Sequence, residues 1–532
     1  MGCWFHGCRK CFPDGTRLVG GELAEELRAR TERRIALLRT KYEVEVQWEC
    51  SIKAELESVD GMKEFFDKQE IIERLRMRDA LYGGRVEVLR SYLKATNQMA
   101  IKYYDICSMY PAVMSLMEYP LGHPQVITSN FKPITGRTFP YRGIVKLKVL
   151  PPQNLKVGAI PYRFGGALYF TLCAACAQNK TQRCDHPAEL RAWIGTYATV
   201  EIELALEKNY QILKVYEVYH WDEWSGEVYR NYFKTFIKRK FAASGFPAGV
   251  VTHEQKLAWC AKVSARLGFD LTPDEVEESS SMRVVCKLSN NSAWGKLAEQ
   301  PSSLKTEYID STGFYALRTD ASRIVTRAKM VEMPDGRELV KVTHKPRVET
   351  IRANRHSAVH HAVLITAQAR VLLYRIVDLV GDRACYMDTD SIIFEMDRQE
   401  EDPLGHLLDG TLGNLADEIK EGWEVDEVVI SGCKNYSMRI VNNSTGDVEI
   451  KQALRGVTKD QNALTTLTHE KMYEASIEKS VSHVDIARPE LKRTLGHIHT
   501  DVVSKRWRPV SFKRATRGEG ESEFKVPYGY LD

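Results

Sequence analysis

Hydrophobic positions change period several times along the chain, and each change predicts an element. Leu23, Leu27, Thr31, Ile35 and Leu38 recur at helical spacing over residues 21–40. Tyr42, Val44, Val46 and Trp48 then alternate with Glu43, Glu45 and Gln47, which predicts a half-buried strand. Residues 61–95 follow a charged helical pattern broken at Tyr82, Gly83 and Gly84, a permissive turn. MAIKYYDIC at 99–107 reads as a strand ending in an aspartate. Pro-rich loops and strand-like pieces fill 125–225, whereas 228–297 is mostly helical around a charged, Ser-rich break at 273–281. Residues 323–343 alternate as two strands about Asp335-Gly336, a hairpin signal that Pro334 makes less regular. Val363, Ala367, Val371 and Tyr374 share one face of a long helix, and RACYMDTDSIIFEM then reads as strand, tight turn, strand. The last 25 residues are loop-rich, and no internal repeat interrupts this order.

Composition adds class and compartment. With 532 residues, 43% of them hydrophobic and 27% charged, the chain can bury a large core and divide into three or four lobes. No run approaches the roughly 18 apolar residues of a membrane span, and the start, MGCWFHGCRKCF, lacks a signal-peptide core. The expectation is an intracellular, reducing compartment with no membrane partner; a eukaryotic mobile element would place it in the nucleus. Lys plus Arg number 75 against 71 Asp plus Glu, so net charge indicates no particular partner. Locally, Lys505 to Arg517 carries six basic residues around Trp507 and Phe512, and YFKTFIKRKF at 232–241 carries four among aromatics. Such mixtures suit a phosphate backbone, although either alone also describes a solvated charged face.

The twelve cysteines are clustered, and in a reducing compartment clustering points to metal. Cys173, Cys176, Cys184 and His186 form CxxC, seven residues, then CxH. Four ligands fill a tetrahedral zinc site and leave no open catalytic position, so this zinc is structural. Cys3, Cys8 and Cys11 form a less regular set with Cys50, just beyond the predicted strand; scattered structural cysteines are its alternative.

The acidic chemistry lies elsewhere. Nucleotidyl transfer uses two divalent cations about 3.5 to 4 Å apart, held by carboxylates from separate segments. YMDTDS supplies Asp388 and Asp390, two apart and expected on the same side of an extended segment, while Asp105 ends a strand able to lie beside that hairpin. A DxD alone is weak, because aspartates favour turns. DICSMYP at 105–111, KLSNNSAWG at 287–295 and YMDTDS at 386–391 nevertheless stand in the order of the first palm, fingers and third motifs of family B DNA polymerases, which the chain resembles. LYGG at 81–84 and KNY at 434–436 extend the resemblance to the protein-primed branch. RDALYGGRVEV and KNYSM are most like the polymerases of Maverick or Polinton self-synthesising transposons and related viruses.

The resemblance implies an α+β right-hand polymerase with an antiparallel palm sheet, helical fingers and a thumb. It divides the chain into a zinc-stapled module at 1–60, a linker with the Tyr-Gly-Gly turn at 61–98, palm at 99–124, a palm insertion with a zinc site at 125–227, fingers at 228–299, an insertion with the hairpin at 300–356, palm at 357–449 and thumb at 450–532. It assigns two magnesium ions to Asp105, Asp390 and the carbonyl of Ile106, with Asp388 supporting. Ser108, Lys240, Arg283, Lys287 and Asn291 are assigned to the incoming nucleotide, with Lys238 as near the pattern as Lys240. Tyr110 becomes a gate whose ring excludes a 2′-hydroxyl, and Trp294 replaces a usual tyrosine against the nascent pair. Tyr82, Gly83, Gly84, Lys434 and Tyr436 are assigned to DNA. Lys287 and Asn291 fall on one helix face with Arg283 a turn earlier, suited to a triphosphate.

The expected function is DNA-directed extension of a primer with deoxynucleoside triphosphates, in replication of a mobile element or virus, with a terminal protein as a further partner. About 100 residues precede Asp105, too few for the exonuclease that family B members carry there, so no proofreading is expected. CWFHGC with the later WEC resembles the very-short-patch repair endonuclease fold, with His6 at that fold's active-site position. Its carboxylate-bearing strands are missing, so a remnant without cleavage is expected. The 96 residues between Asn291 and Asp388 leave room for insertions that encircle DNA, and processive, strand-displacing synthesis follows as a hypothesis. The competing reading is a truncated relic that binds primed DNA without polymerising.

Overall fold

The computed structural model describes residues 1–532 except 19–21, 69–71, 248, 301–303, 334, 348–356, 495–496, 511 and 532. Pro334 thus lies outside the described residues. The chain forms two compact units, 1–74 and 75–532.

The first unit is helical: Cys3–His6, Ala24–Arg39, Glu49–Ser58 and Met62–Lys68. Its buried apolar cluster is small, built on Leu18, Ala24 and Leu27. Gly7 ends the first helix in a left-handed conformation (φ 64°), and a Cβ there would lie 2.1 Å from the Ala24 carbonyl oxygen. Only glycine meets both demands. The strand expected over 42–48 does not form. That segment pairs with no strand among the described residues; Tyr42 N bonds back to Leu38 O, Gln47 O accepts from the Met1 amine, and Trp48 O accepts from Ser51 and Ile52 in the helix that follows. Alternation without a neighbouring ladder leaves the backbone unpaired. Cys50 consequently stands in the first turn of a helix.

The second unit is organised by a nine-stranded sheet in the order Val86–Val88, Ala384–Asp388, Ser391–Asp397, Met99–Ile106, Trp423–Gly432, Asn435–Asn442, Val448–Ala453. Leu415–Asp417 also pairs with Met99–Ile106, and Tyr92–Lys94 with Trp423–Gly432; every pairing is antiparallel. The helical pattern read into 86–94 was a wrong period. Val86, Val88, Tyr92 and Leu93 are buried in this sheet, and β-branched and aromatic side chains gain more from a packed ladder than from a solvated helix. Met99–Ile106 is covered on both faces, with Ile101, Tyr103, Tyr104 and Ile106 all buried. Val359–Val380 supplies the long helix and stops at Gly381, which takes a positive φ of 64°. It shares one core with Met109–Leu116, Arg230–Ala242 and His253–Ala265.

Gln125–Ile127, Gln211–His220, Gly143–Leu150 and Trp193–Ala198 form a separate antiparallel sheet whose core includes Cys173 and Cys176. The hairpin Arg323–Glu332 and Glu338–Pro346 forms as expected and gains Lys305–Ile309 as a third strand. Among the described residues no helix is long and apolar enough to cross a membrane.

Candidate active site

Ladder register brings the carboxylates together. Asp105 lies opposite Ser391, and Ser391 lies opposite Asp388 on its other side. The loop of this hairpin is two residues long, with Thr389 left-handed at φ 61°, so the tight turn expected between the two strands forms, and Asp388 and Asp390 do not share one side of an extended segment as their spacing suggested. A two-residue connection between twisted strands favours a positive φ. The turn is tied down by three backbone bonds: Thr389 N to Arg85 O at 2.6 Å, Asp390 N to Asp388 O at 2.6 Å, and Ile106 N to Asp390 O at 2.7 Å. Asp105 and Asp390 line one cavity of about 650 Å³. Asp388 turns aside to ion-pair with Lys434 and accept from the hydroxyls of Tyr386 (3.2 Å) and Thr389 (3.0 Å). Ile106 is buried and its side chain does not line the cavity.

Burial, then the charges of Asp390 and Glu418, push the Asp105 carboxyl up to about 7 against the opposing pull of Lys287 and Lys240. Burial and the charge of Asp388 likewise raise Asp390. Two half-buried carboxylates that oppose each other's ionisation form a site a divalent cation would relieve, and their oxygens suit magnesium.

Facing them is a basic wall. Lys287, Asn290, Asn291 and Trp294 fall on one face of Ser280–Leu297 and line the cavity, while Lys240 reaches it from Arg230–Ala242. Lys240 donates to Ser108 Oγ at 2.6 Å. Burial and the like charges of Arg283 and Lys287 hold its ammonium below the ordinary value. Lys238, as near the pattern in sequence, instead pairs with Glu275 at 2.7 Å. Arg283 is exposed and does not line the cavity. Tyr110 and Trp294 pack their rings 5.7 Å apart in its lining, and the indole is anchored by Nε1 donating to the Ala362 carbonyl. Clustered cations opposite carboxylates, with an aromatic pair between, suit a nucleoside triphosphate chelating metal.

The five residues assigned to DNA split by environment. Tyr82 is buried, its ring stacked on Tyr197 at 5.7 Å, and Arg370 donates to the carbonyls of Tyr82 and Gly83. Gly83 is exposed. Gly84 abuts the turn that carries Asp388 and Asp390: a Cβ there would meet Thr389 Cγ2 at 2.7 Å. Lys434 is exposed and bound to Asp388, while Tyr436 is buried with its hydroxyl 3.2 Å from that of Tyr103.

Both cysteine clusters assemble. The ligand atoms of Cys173, Cys176, Cys184 and His186 all lie within 4.8 Å of one another, as do those of Cys3, Cys8, Cys11 and Cys50. The Cys–His separations of 3.7, 3.2 and 3.9 Å, and the 3.7 Å between the sulfurs of Cys8 and Cys50, approach the edge of a tetrahedron with arms of about 2.3 Å. Backbone N–H groups of Cys176 and Cys50 point at the sulfurs of Cys173 and Cys3. The donor sets fit zinc. His6 stands outside its cluster, with Nδ1 3.1 Å from the Thr31 hydroxyl.

The sequence reading missed Glu418 and Asn290 among the polar residues that line the cavity. Glu418 is delivered by the strand Leu415–Asp417 and fixed by its N–H to the Tyr103 carbonyl, a placement without a motif signal. Asn290 carried a signal, standing three residues from Lys287 on the same helix face.

A family model described as DNA polymerase type B, organellar and viral, matches residues 61–246. No curated protein matches the chain. Among solved structures, Phi29 DNA polymerase complexed with primer-template DNA and incoming nucleotide substrates is similar at a TM-score of 0.51 and 13% identity, covering 93% of this chain and 74% of that one. Its binary complex with primer-template DNA gives 0.50 and 14%, covering 92% and 74%, and its complex with single-stranded DNA gives 0.50 and 14%, covering 93% and 74%. The fold is therefore a polymerase fold. Together with the family match it supports a DNA-directed DNA polymerase.

Proposed function

We propose that this chain extends the 3′ end of a primer on a DNA template with deoxynucleoside triphosphates. The observation that carries the reading is the convergence of Asp105, Asp390, Lys240, Lys287, Tyr110 and Trp294 on one cavity. In the step itself the primer 3′-oxygen bonds to the α-phosphorus, the bond to pyrophosphate breaks, and the hydroxyl proton leaves. Two divalent cations held by Asp105, Asp390 and the Ile106 carbonyl would supply Lewis-acid activation of that hydroxyl and charge neutralisation. Lys240 and Lys287 hold the phosphates, with Asn291 and Ser108 beside them. Trp294 packs against the nascent base pair, and Tyr110, beneath the sugar, leaves no room for a 2′-hydroxyl. Lys434 fixes Asp388 and keeps the turn in register while it meets the primer backbone.

In this reading the nine-stranded sheet is the palm, the helices at 228–299 are fingers, and the region from 450 onward is a thumb. Zinc at the two cysteine clusters is structural. The setting we propose is replication of a mobile element or virus, which accords with the organellar and viral family description. Metal analysis of the purified chain should find two zinc ions, and Cys176→Ser should remove one.

The central test is extension of a labelled primer with magnesium, comparing deoxynucleotides with ribonucleotides. Asp390→Asn should lower the rate on the order of a thousandfold. Failure of a folded, DNA-binding wild type to extend any primer would sink the proposal in favour of a non-polymerising relic.

A further inference from the structure

Asn290 is an anomaly in the cavity wall. Its side chain is 2% exposed, yet neither Oδ1 nor Nδ2 has a hydrogen-bond partner. Buried amides are nearly always satisfied, and an unpaired one costs about 1 to 3 kcal/mol. The residue lines the 650 Å³ cavity beside Lys287, Asn291 and Trp294. The amide atoms themselves are closed off from solvent, and an orphaned donor and acceptor bordering a cavity are accounted for by a ligand toward which the side chain turns and which supplies the missing partner.

Helix geometry indicates which part of the ligand that is. Lys287 precedes Asn290 by three residues and Trp294 follows by four, placing the amide roughly 4.5 Å along the axis from the phosphate-binding lysine and roughly 6 Å from the indole. A nucleoside triphosphate runs phosphate, sugar, base in that order. The amide therefore stands at the level of the sugar, on the wall that also presents the Tyr110 ring, 5.7 Å from that of Trp294. A deoxyribose offers one free hydroxyl, at the 3′ position, and a hydroxyl can both accept from Nδ2 and donate to Oδ1.

Resting on the proposed polymerase reading, we infer that Asn290 recognises the 3′-hydroxyl of the incoming deoxynucleotide and is a specificity-determining residue for that sugar. Tyr110 then rejects a sugar with one hydroxyl too many, and Asn290 one with a hydroxyl too few. A site built to pair a hydroxyl discriminates against the analogue that lacks it, because the buried amide is left unpaired again.

The experiment is incorporation kinetics with a deoxynucleoside triphosphate and its 2′,3′-dideoxy analogue, on wild type, Asn290→Leu and Asn290→Ala. Wild type should prefer the deoxynucleotide in kcat/KM by about tenfold or more, and both variants should lose most of that preference, since one hydrogen bond to a buried group is worth about a factor of ten. The Leu variant keeps the volume and the Ala variant guards against misfitting of leucine. Equal use of the two nucleotides by wild type overturns the inference without any variant. So does an unchanged preference in an active variant. Absence of template-dependent synthesis by wild type would instead refute the polymerase reading itself.

Discussion

The two walls of the cavity are held by different physics. Asp105 and Asp388 sit on the strands that flank Ser391–Asp397 in one sheet, and Asp390 in the turn that leads into that strand, fixed by ladder register and by backbone bonds at the turn. The strands around them are buried on both faces. Lys287, Asn290, Asn291 and Trp294 sit on Ser280–Leu297, whose buried residues are Cys286 and Asn290. Cation-binding carboxylates need sub-ångström placement, and a ladder supplies it, since a slip of one residue would turn each side chain to the other face. Cations that grip a flexible polyanion tolerate movement, and a mostly exposed helix permits it. The acidic wall should therefore govern turnover and the basic wall affinity.

Short of removing a carboxylate, the largest expected effect comes from displacing the acidic wall. In Gly84→Ala the new methyl would fall 2.7 Å from Thr389 Cγ2 and 3.1 Å from its Cβ. Thr389 is short, β-branched and bonded through Oγ1 to Asp388, so the turn must give. We expect kcat to fall about a hundredfold, as a 1 Å misplacement can, with the nucleotide KM little changed. A KM effect without a kcat effect would break the comparison. Lys287→Ala should do the reverse, lowering kcat/KM about tenfold, mainly through KM, as steady-state primer extension would show.

The two walls also differed in how far the sequence disclosed them. The acidic residues were legible because each sits in a local signature: Asp105 at a strand end, Asp388 and Asp390 in one hairpin. The tight turn was legible, but the bond that ties down its left-handed Thr389 was not, because Thr389 N–H donates to the Arg85 carbonyl, some 300 residues away in sequence. Helical spacing gave Lys287 and Asn291, and the same spacing contained Asn290; its importance rests on burial, which periodicity does not report. The choice of Lys240 over Lys238 depended on the rotation of Arg230–Ala242 against its neighbours. The strand expected at 42–48 failed for the complementary reason, since alternation specifies a face but not a partner.

The smallest expected effect tests where the basic wall ends. Arg283 shares a helix face with Lys287 and like it is exposed, but it stands outside the cavity lining, and its charge acts on Lys240. Coulomb interactions of exposed groups are screened over about 10 Å at 0.1 M salt and about 3 Å at 1 M. Arg283→Ala should raise the nucleotide KM about threefold at low ionic strength, a surface-charge effect, and the difference from wild type should vanish as salt rises. Lys287→Ala should keep most of its deficit across the same range if, as proposed, that ammonium meets phosphate inside the cavity it lines. A salt-resistant Arg283 effect would mean that the helix swings far enough for the guanidinium to reach the triphosphate. The basic wall would then be longer, and more mobile in use, than its lining residues indicate.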